Sequence, residues 1–118
     1  FKRKDQDLYI ELPVSFKTAA LGGKVKVPGL DEPFEYLIPE GTQSGTVFCV
    51  RSKGLKTRTG TGNMYITVTV EIPSKLSREQ KRAVEDFDTA TDIKQTAKMR
   101  SFRDNMQAMY GVDPYAGK

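Results

Sequence analysis

The chain has 118 residues and a formal net charge of +4, from 19 basic and 15 acidic side chains. It has no histidine, so the commonest general base and metal ligand is absent, and its one cysteine cannot form an internal disulfide. No apolar stretch approaches the length of about 20 residues that spans a bilayer, and no signal peptide is visible. Because the chain begins at Phe1 rather than Met, we expect a fragment or a processed product. These features favour one domain, or two very small ones, without metal or cofactor, in a reducing and cytoplasmic compartment.

The first half of the chain predicts short strands separated by turns. Apolar residues alternate with polar ones from Asp7 to Val14, which indicates a strand with one buried face. Ser15 can cap a short helix that ends at Gly22 or Gly23. Further short strands are predicted over residues 24–27, 34–38 and 47–50. In the last of these, Cys49 lies in an apolar run and is interpreted as a small buried residue.

A long segment rich in glycine, threonine and basic residues spans positions 51–63. We interpret it as a flexible hairpin loop, because a phosphate-binding loop would need a GxxxxGK[ST] motif that opens a helix. Its basic side chains leave an alternative open, a small β-domain that binds nucleic acid or another polyanion through residues 51–58. These side chains are Arg51, Lys53, Lys56 and Arg58. The mixed charge along the chain makes nucleic acid the less favoured partner. The strongest strand signal follows at residues 64–72, where apolar side chains line one face.

Pro73 ends the β region, and a polar helix is predicted to begin after Ser74 or Ser77. Ser77 is followed three residues later by Gln80, which is the capping-box arrangement. The apolar residues of this helix recur at helical spacing in a narrow stripe: Leu76, Ala83, Val84 and Phe87. Such a stripe must be buried, either against the sheet of the same chain or against a second copy in an isologous dimer.

Residues 89–92 predict a break, after which Thr91 or Asp92 can start another helix. Apolar residues, three of them methionines, then recur near helical spacing: Ile93, Met99, Phe102, Met106, Met109 and Tyr110. This second stripe is predicted to pack on the partner or to bind exposed apolar chain. Beyond Gly111 we expect a frayed tail.

Catalytic chemistry is not indicated by any motif in the sequence. Asp86 and Asp88 are paired carboxylates, but on a polar helix surface we expect them to be solvated charges. Serine and threonine are frequent, yet without histidine or an SxxK motif nothing activates a nucleophile. We therefore predict a protein that is not an enzyme.

Several motifs in order resemble the C-terminal region of DnaJ-type co-chaperones, the J-domain proteins that work with DnaK-type chaperones. The similarity runs from Phe1 to about Ala90 and ends in LSREQ at 76–80. The other matching motifs are FxR…DLY at 1–9, AALGG at 19–23, KVKVP at 24–28, IPEGTQSGTVF at 38–48, RSKGL at 51–55 and GNMYITVTVEIP at 62–73. The departures touch loops: Asp5 and Gln6 replace the usual glycine-containing turn, and Ser52 stands where the family often has glycine.

The resemblance implies a mainly β fold, a two-layer β-sandwich of short strands with one short internal helix, followed by C-terminal helices. It implies a β-sandwich domain over residues 1–73, a dimerisation helix over 74–90, and a helical segment with a tail over 91–118. The chain has no His-Pro-Asp motif of a J-domain and no CxxCxGxG repeats for zinc. Contact with a DnaK-type chaperone would therefore use the missing parts of the full-length protein.

The same resemblance implies a homodimer that helps to hold unfolded client polypeptides, with no membrane partner. We expect the dimer interface to use Leu76, Gln80, Ala83, Val84, Phe87, Phe102 and Met106. A weaker client-binding surface is expected among Tyr9, Phe16, Leu21, Phe34 and Tyr36. Each of these five side chains is also compatible with simple burial in the core. A linker domain that serves only for dimerisation is a third hypothesis.

Overall fold

The computed structural model describes residues 2–116, so the Phe1 part of the family motif lies outside the described residues. Two compact units divide the chain, residues 1–73 and 74–118. The first unit contains β1 (Lys2–Lys4), β2 (Asp7–Val14), α1 (Phe16–Leu21), β3 (Gly23–Val27), β4 (Phe34–Ile38), β5 (Val47–Val50), β6 (Lys56–Thr57), β7 (Gly60–Thr61) and β8 (Met64–Val70). The second contains α2 (Arg78–Ala90), a 3-10 turn (Ile93–Gln95) and α3 (Ala97–Tyr110). Within residues 2–116, no helix combines the length and the apolar character that crossing a bilayer requires.

The first unit is built on an open four-stranded sheet in the order β1-β2-β8-β5. β2 and β8 pair in parallel, with Leu8 opposite Met64, whereas β1 and β5 pair antiparallel at the two edges. Parallel neighbours need a long crossover, and the segment from α1 to β7 supplies it. β3 and β4 form a second, two-stranded sheet, and β6 and β7 form a short hairpin. The first unit is therefore mainly β, with short strands and one short helix, and it is followed by C-terminal helices, as predicted.

The core of the first unit combines residues of both larger sheets and of α1. Its buried side chains are Leu8, Leu12, Val14, Ala19, Val27, Ile38, Met64, Ile66 and Val68. Every second residue of β8 from Met64 to Val68 is fully buried, which confirms the alternation in the sequence. The strand predicted to reach residue 72 ends at Val70 instead, and Ile72 is 74% exposed.

Helix α1 begins and ends where the sequence predicts. The Ser15 hydroxyl accepts a hydrogen bond from Thr18 N at 3.1 Å, and Gly22 follows the helix with a φ of +80°. A Cβ at Gly22 would lie 2.9 Å from the carbonyl oxygen of Ile38. Both the positive φ and the close approach require glycine, and they place the end of α1 against the end of β4.

Strand β5 corrects the prediction for Cys49. Phe48 and Val50 are the residues of β5 that pack against the core, so alternation places Val47 and Cys49 on the outer face. Cys49 is exposed, and the prediction of a buried thiol is wrong. A short apolar run does not reveal which of its two faces meets the core.

The segment 51–63 is a hairpin whose base packs against the turn between β1 and β2. Gly54 and Gly62 are buried, and Gly54 N donates to Gly62 O at 2.9 Å. Leu55 N donates to Gln6 O at 2.8 Å, which ties the hairpin to the turn between β1 and β2. The hairpin predicted from the glycines is present, and backbone contacts fix its base, whereas residues 56–61 are exposed.

Helix α2 is capped by Ser77 and not by Ser74. The Ser77 hydroxyl accepts from Gln80 N at 3.1 Å, and the Gln80 side chain accepts from Ser77 N at 2.8 Å. This reciprocal pair confirms the predicted capping box. After the helix ends, Asp92 caps the 3-10 turn, since its carboxylate accepts from Lys94 N at 2.8 Å.

The segment after α3 is ordered by local contacts. Gly111 ends the helix with a φ of +68°, and the Asp113 carboxylate accepts a hydrogen bond from Tyr115 N at 2.9 Å. The Tyr115 ring lies 6.3 Å from the ring of Phe102. The tail therefore folds back on α3 as far as residue 116, and the prediction of a frayed tail is wrong for the residues described.

Candidate functional site: exposed apolar side chains of the two units

Helix α2 carries exposed apolar side chains along one stripe. None of its 13 residues is buried, and Val84 and Phe87, three positions apart, are 58% and 47% exposed. Ala83 lies beside them and is also exposed. Residues at this spacing share one face of a helix. The stripe therefore offers apolar surface that a partner can bury.

The two predicted interface residues at the start of α2 have local roles. The side chain of Gln80 is held by the Ser77 backbone N–H in the capping box. Leu76 precedes the cap and is half-buried. Because Gln80 fixes the start of the helix, Val84 and Phe87 are the stronger candidates for contact with a partner.

Helix α3 adds a second group of apolar side chains. Phe102, Met106 and Tyr110 follow one another at intervals of four residues, which places them along one face. Phe102 is 51% exposed, Tyr110 is 66% exposed and Met106 is half-buried. Met109 and Val112 are 68% and 49% exposed. The exposed apolar surface thus continues beyond Met106, the last of the expected interface residues, to Met109 and Tyr110 of the predicted second stripe and to Val112.

Two of the five predicted client-binding side chains belong to the margin of the core. Phe34 and Tyr36 are half-buried on β4 and pack against the buried cluster. The Tyr36 ring lies 5.5 Å from the ring of Phe48 on β5. Burial raises the pKa of the Tyr36 phenol above its usual value, and an electrostatic interaction with Cys49 acts in the same direction. These two aromatic side chains contribute mainly to packing between the sheets.

The other three predicted client-binding side chains are exposed on different surfaces. Tyr9 is 37% exposed on the outer face of the four-stranded sheet and stacks on Tyr65, with ring centroids 5.1 Å apart. Phe16 and Leu21, at the two ends of α1, are 51% and 66% exposed. Within residues 2–116, the five predicted side chains are therefore not gathered in one groove.

The outer face of the four-stranded sheet carries an apolar row that sequence reasoning missed. The register places Tyr9 beside Tyr65 and Tyr65 beside Cys49. Val47 lies on the same face and is 56% exposed. The sequence feature that could have revealed this row is Tyr65. It is an aromatic residue among the alternating polar positions of this strand region, between Asn63 and Thr67.

The basic hairpin has a surface of mixed charge. Lys53 Nζ lies 4.7 Å from the centroid of the Phe34 ring, which is a cation–π distance. A cleft of about 400 Å³ beside this pair is lined by Asp31 and Glu32 as well as by Lys53 and Lys56. Acidic side chains in the same cleft weaken its attraction for a polyanion. No contact in this cleft specifically favours the nucleic-acid alternative.

Comparison with known proteins relates both units to one family. The family model described as "DnaJ C terminal domain" matches residues 1–73. "Chaperone protein DnaJ" from Ruthia magnifica subsp. Calyptogena magnifica is 37% identical over 113 residues, 94% of this chain and 31% of that protein. The protein of the same name from Halothermothrix orenii is 40% identical over 114 residues, 95% of this chain and 30% of that protein. The one from Carboxydothermus hydrogenoformans is 47% identical over 91 residues, 75% of this chain and 24% of that protein.

The chain spans about a third of the length of the curated relatives it matches. The family model covers the whole first unit, including the four-stranded sheet and the β3–β4 pair. The first two relatives match more than nine-tenths of the chain, so their similarity extends into the second unit. The resemblance inferred from the motifs is confirmed, and the chain belongs to the DnaJ C-terminal domain family.

Proposed function

We propose that this chain is a non-catalytic part of a DnaJ-type co-chaperone that homodimerises and helps to hold unfolded client polypeptides. Membership of the family supports the co-chaperone role. The observation that carries the proposal is the stripe on α2, where Val84 and Phe87 are exposed on a well-capped helix. A DnaK-type chaperone is engaged by other parts of the full-length protein. Localisation in the cytoplasm stays a prediction.

The exposed apolar side chains of the second unit are numerous enough for a dimer. Burying a half-exposed apolar side chain gains roughly 1 kcal/mol, about half the value for a fully exposed one. Association costs about 4–15 kcal/mol. The free energy gained by burying Val84 and Phe87 of two protomers offsets only the low end of this cost. A stable dimer therefore also requires α3. Its contributing side chains are Phe102, Met109 and Tyr110.

Dimerisation supports client holding by raising the effective concentration of the second binding surface. A client segment bound by one protomer reaches the other without a new diffusional search. The exposed side chains of the first unit available for this contact include Tyr9, Phe16 and Leu21. Each is a weak contact alone, and the dimer makes two such surfaces act on one polypeptide.

The dimer is tested by light scattering over a dilution series of the wild-type chain and of Phe87→Asp. A carboxylate in the stripe would have to lose its hydration when the two helices pair. We therefore expect the variant to be monomeric at concentrations where the wild type is dimeric. A wild type that is monomeric at every concentration would contradict the proposal.

Thr89→Asp is the matched control for this measurement. It adds the same charge to the exposed surface of α2, at a position about 200° around the helix from Phe87. We expect it to dimerise like the wild type. If both variants become monomeric, added negative charge rather than the apolar stripe controls the association.

A further inference from the structure

The edges of the two larger sheets differ in how they are protected against pairing with another strand. β1 consists of basic residues only, β3 carries exposed Lys24 and Lys26, and β4 carries exposed Glu35. Charged side chains on an edge strand oppose the addition of a further strand. β5 contains no charged residue. Among the edges of these two sheets within residues 2–116, β5 is therefore the unprotected one.

The backbone of β5 offers free hydrogen-bonding groups at this edge. In an antiparallel pair, alternate residues exchange hydrogen bonds with the partner strand. Val68 N donates to Thr46 O at 2.8 Å. The backbone N–H and C=O groups of the even-numbered residues of β5 therefore point toward β8. The N–H and C=O groups of Val47 and Cys49 consequently point away from the sheet. They have no backbone partner within the part of the chain that the structure describes.

The side chains on both sides of this edge are apolar or aromatic. On the outer face, Val47 is 56% exposed, and Tyr65 lies beside the exposed Cys49 in the register. On the inner side, Tyr36 packs against Phe48, with ring centroids 5.5 Å apart. A strand added to β5 would therefore meet uncharged surface on both of its faces.

We propose that the free edge of β5 binds an extended, uncharged segment of an unfolded polypeptide as an added antiparallel strand. This inference rests on the proposed client-holding function and names the site at which it occurs. The bound segment satisfies the outward N–H and C=O groups of Val47 and Cys49, and its alternate side chains contact Val47 and Tyr65 on the outer face. The site selects segments without proline, because proline cannot donate to the ladder. It also selects against charge, since a charged side chain would lose hydration against Val47.

Amide hydrogen exchange, followed by NMR on the whole chain, tests the pairing without any substitution. The probe is a synthetic peptide of alternating valine and threonine with one lysine at each end. We expect the amides of Val47 and Cys49 to exchange about tenfold more slowly, or slower still, at saturating peptide. The amides of Phe48 and Val50 point toward β8 and should be protected from exchange both with and without the peptide. The same peptide with alternate amides N-methylated cannot donate along one edge, so it should leave Val47 and Cys49 unprotected.

The Val47→Lys substitution tests the role of the uncharged edge. It gives β5 the protection that Lys24 and Lys26 give β3, and the exposure of Val47 makes it compatible with the fold. We expect the peptide affinity, measured by fluorescence anisotropy, to fall about tenfold or more. Ile72→Lys is the matched control, because Ile72 is 74% exposed beyond the end of β8 in the same unit and belongs to no proposed binding surface. It should bind the peptide like the wild type.

The outcomes separate this inference from the proposed function. Leu21→Lys changes one of the client contacts proposed above. Loss of binding in that variant, with unchanged binding in Val47→Lys, would overturn the β5 site and leave client holding intact. Protection of the Val47 and Cys49 amides that grows with protein concentration, without peptide, would assign the edge to a second copy of the chain and overturn the inference. A wild type that binds neither peptide would contradict client holding itself.

Discussion

Gly54 packs directly against the backbone of two neighbouring segments, and Gly54→Ala tests how firmly the hairpin at 51–63 is anchored. The added Cβ would lie 2.5 Å from Gln6 O and 2.5 Å from the carbonyl carbon of Gly62. Both are backbone atoms, so no side-chain rotation can relieve the overlap. Gly54 is not among the residues with positive φ, and the effect is therefore steric rather than conformational.

The cost follows from the bonds that must lengthen. Leu55 N donates to Gln6 O at 2.8 Å, and Gly54 N donates to Gly62 O at 2.9 Å. Overpacking costs about 1–3 kcal/mol, and each hydrogen bond that weakens costs up to about 1 kcal/mol. We expect the free energy of unfolding to fall by about 2–4 kcal/mol. For a unit of 73 residues, this lowers Tm by about 10 °C or more.

The assay is thermal and urea unfolding followed by circular dichroism, with Gly23→Ala as the matched control. A Cβ at Gly23 would meet the Thr18 methyl group at 3.8 Å, an ordinary contact. The control should change the free energy of unfolding by less than about 1 kcal/mol. If Gly54→Ala is as stable as Gly23→Ala, the hairpin is not fixed by these backbone contacts.

Three further predictions concern the helix cap, the core and the pH dependence of stability. Ser77→Ala removes the capping box and should cost about 1 kcal/mol, with a loss of far-UV helix signal; an unchanged signal would contradict this. Ile66 is fully buried, so Ile66→Ala should cost about 2–5 kcal/mol in urea unfolding, and a loss below about 1 kcal/mol would show looser packing. Burial raises the pKa of Tyr36, so its contribution to stability is complete below about pH 10 and is lost as the pH rises through the raised pKa. As the pH is raised from about 9 to 12, the Tm of Tyr36→Phe should thus fall less than the Tm of the wild type. Parallel plots of Tm against pH for the two proteins would refute this.

The sequence predicted those elements that are determined by interactions between residues close together in the chain. The period of two in β8 predicts its buried face because each side chain of a strand alternates between core and solvent. The Ser77–Gln80 pair predicts the start of α2 because both hydrogen bonds of the capping box join residues three apart. The end of β8 was predicted two residues too late, since the apolar pattern continues to Ile72 after the pairing with β2 has ended at Val70.

Features that depend on distant contacts could not be predicted from the local pattern. Cys49 is exposed because β5 pairs with β8 in a register that turns Phe48 inward, and no neighbour in the sequence encodes that choice. Gly54 and Gly62 have the composition of a flexible loop, but they allow close backbone packing against Gln6. Tyr115 orders the tail by reaching Phe102, 13 positions earlier in the sequence.

The candidate surfaces were predicted in part. The spacing of Val84 and Phe87 identified the stripe on α2, because helical periodicity is a local property. The client-binding candidates were chosen as apolar residues whose burial was undecided, and Phe34 and Tyr36 prove to be half-buried against the core. The β5 edge was missed, since the exposure of a strand edge follows from the order of strands in the sheet.

Client holding by the dimer is tested most directly by the aggregation of a chemically denatured model protein after dilution into buffer. Turbidity is recorded with the wild-type chain and with Phe87→Asp at equal protomer concentrations. We predict that the wild type suppresses aggregation at lower protomer concentrations than the monomeric variant, because two linked surfaces act on one polypeptide. Aggregation that the wild type leaves unchanged, or that both proteins suppress equally, would contradict the account.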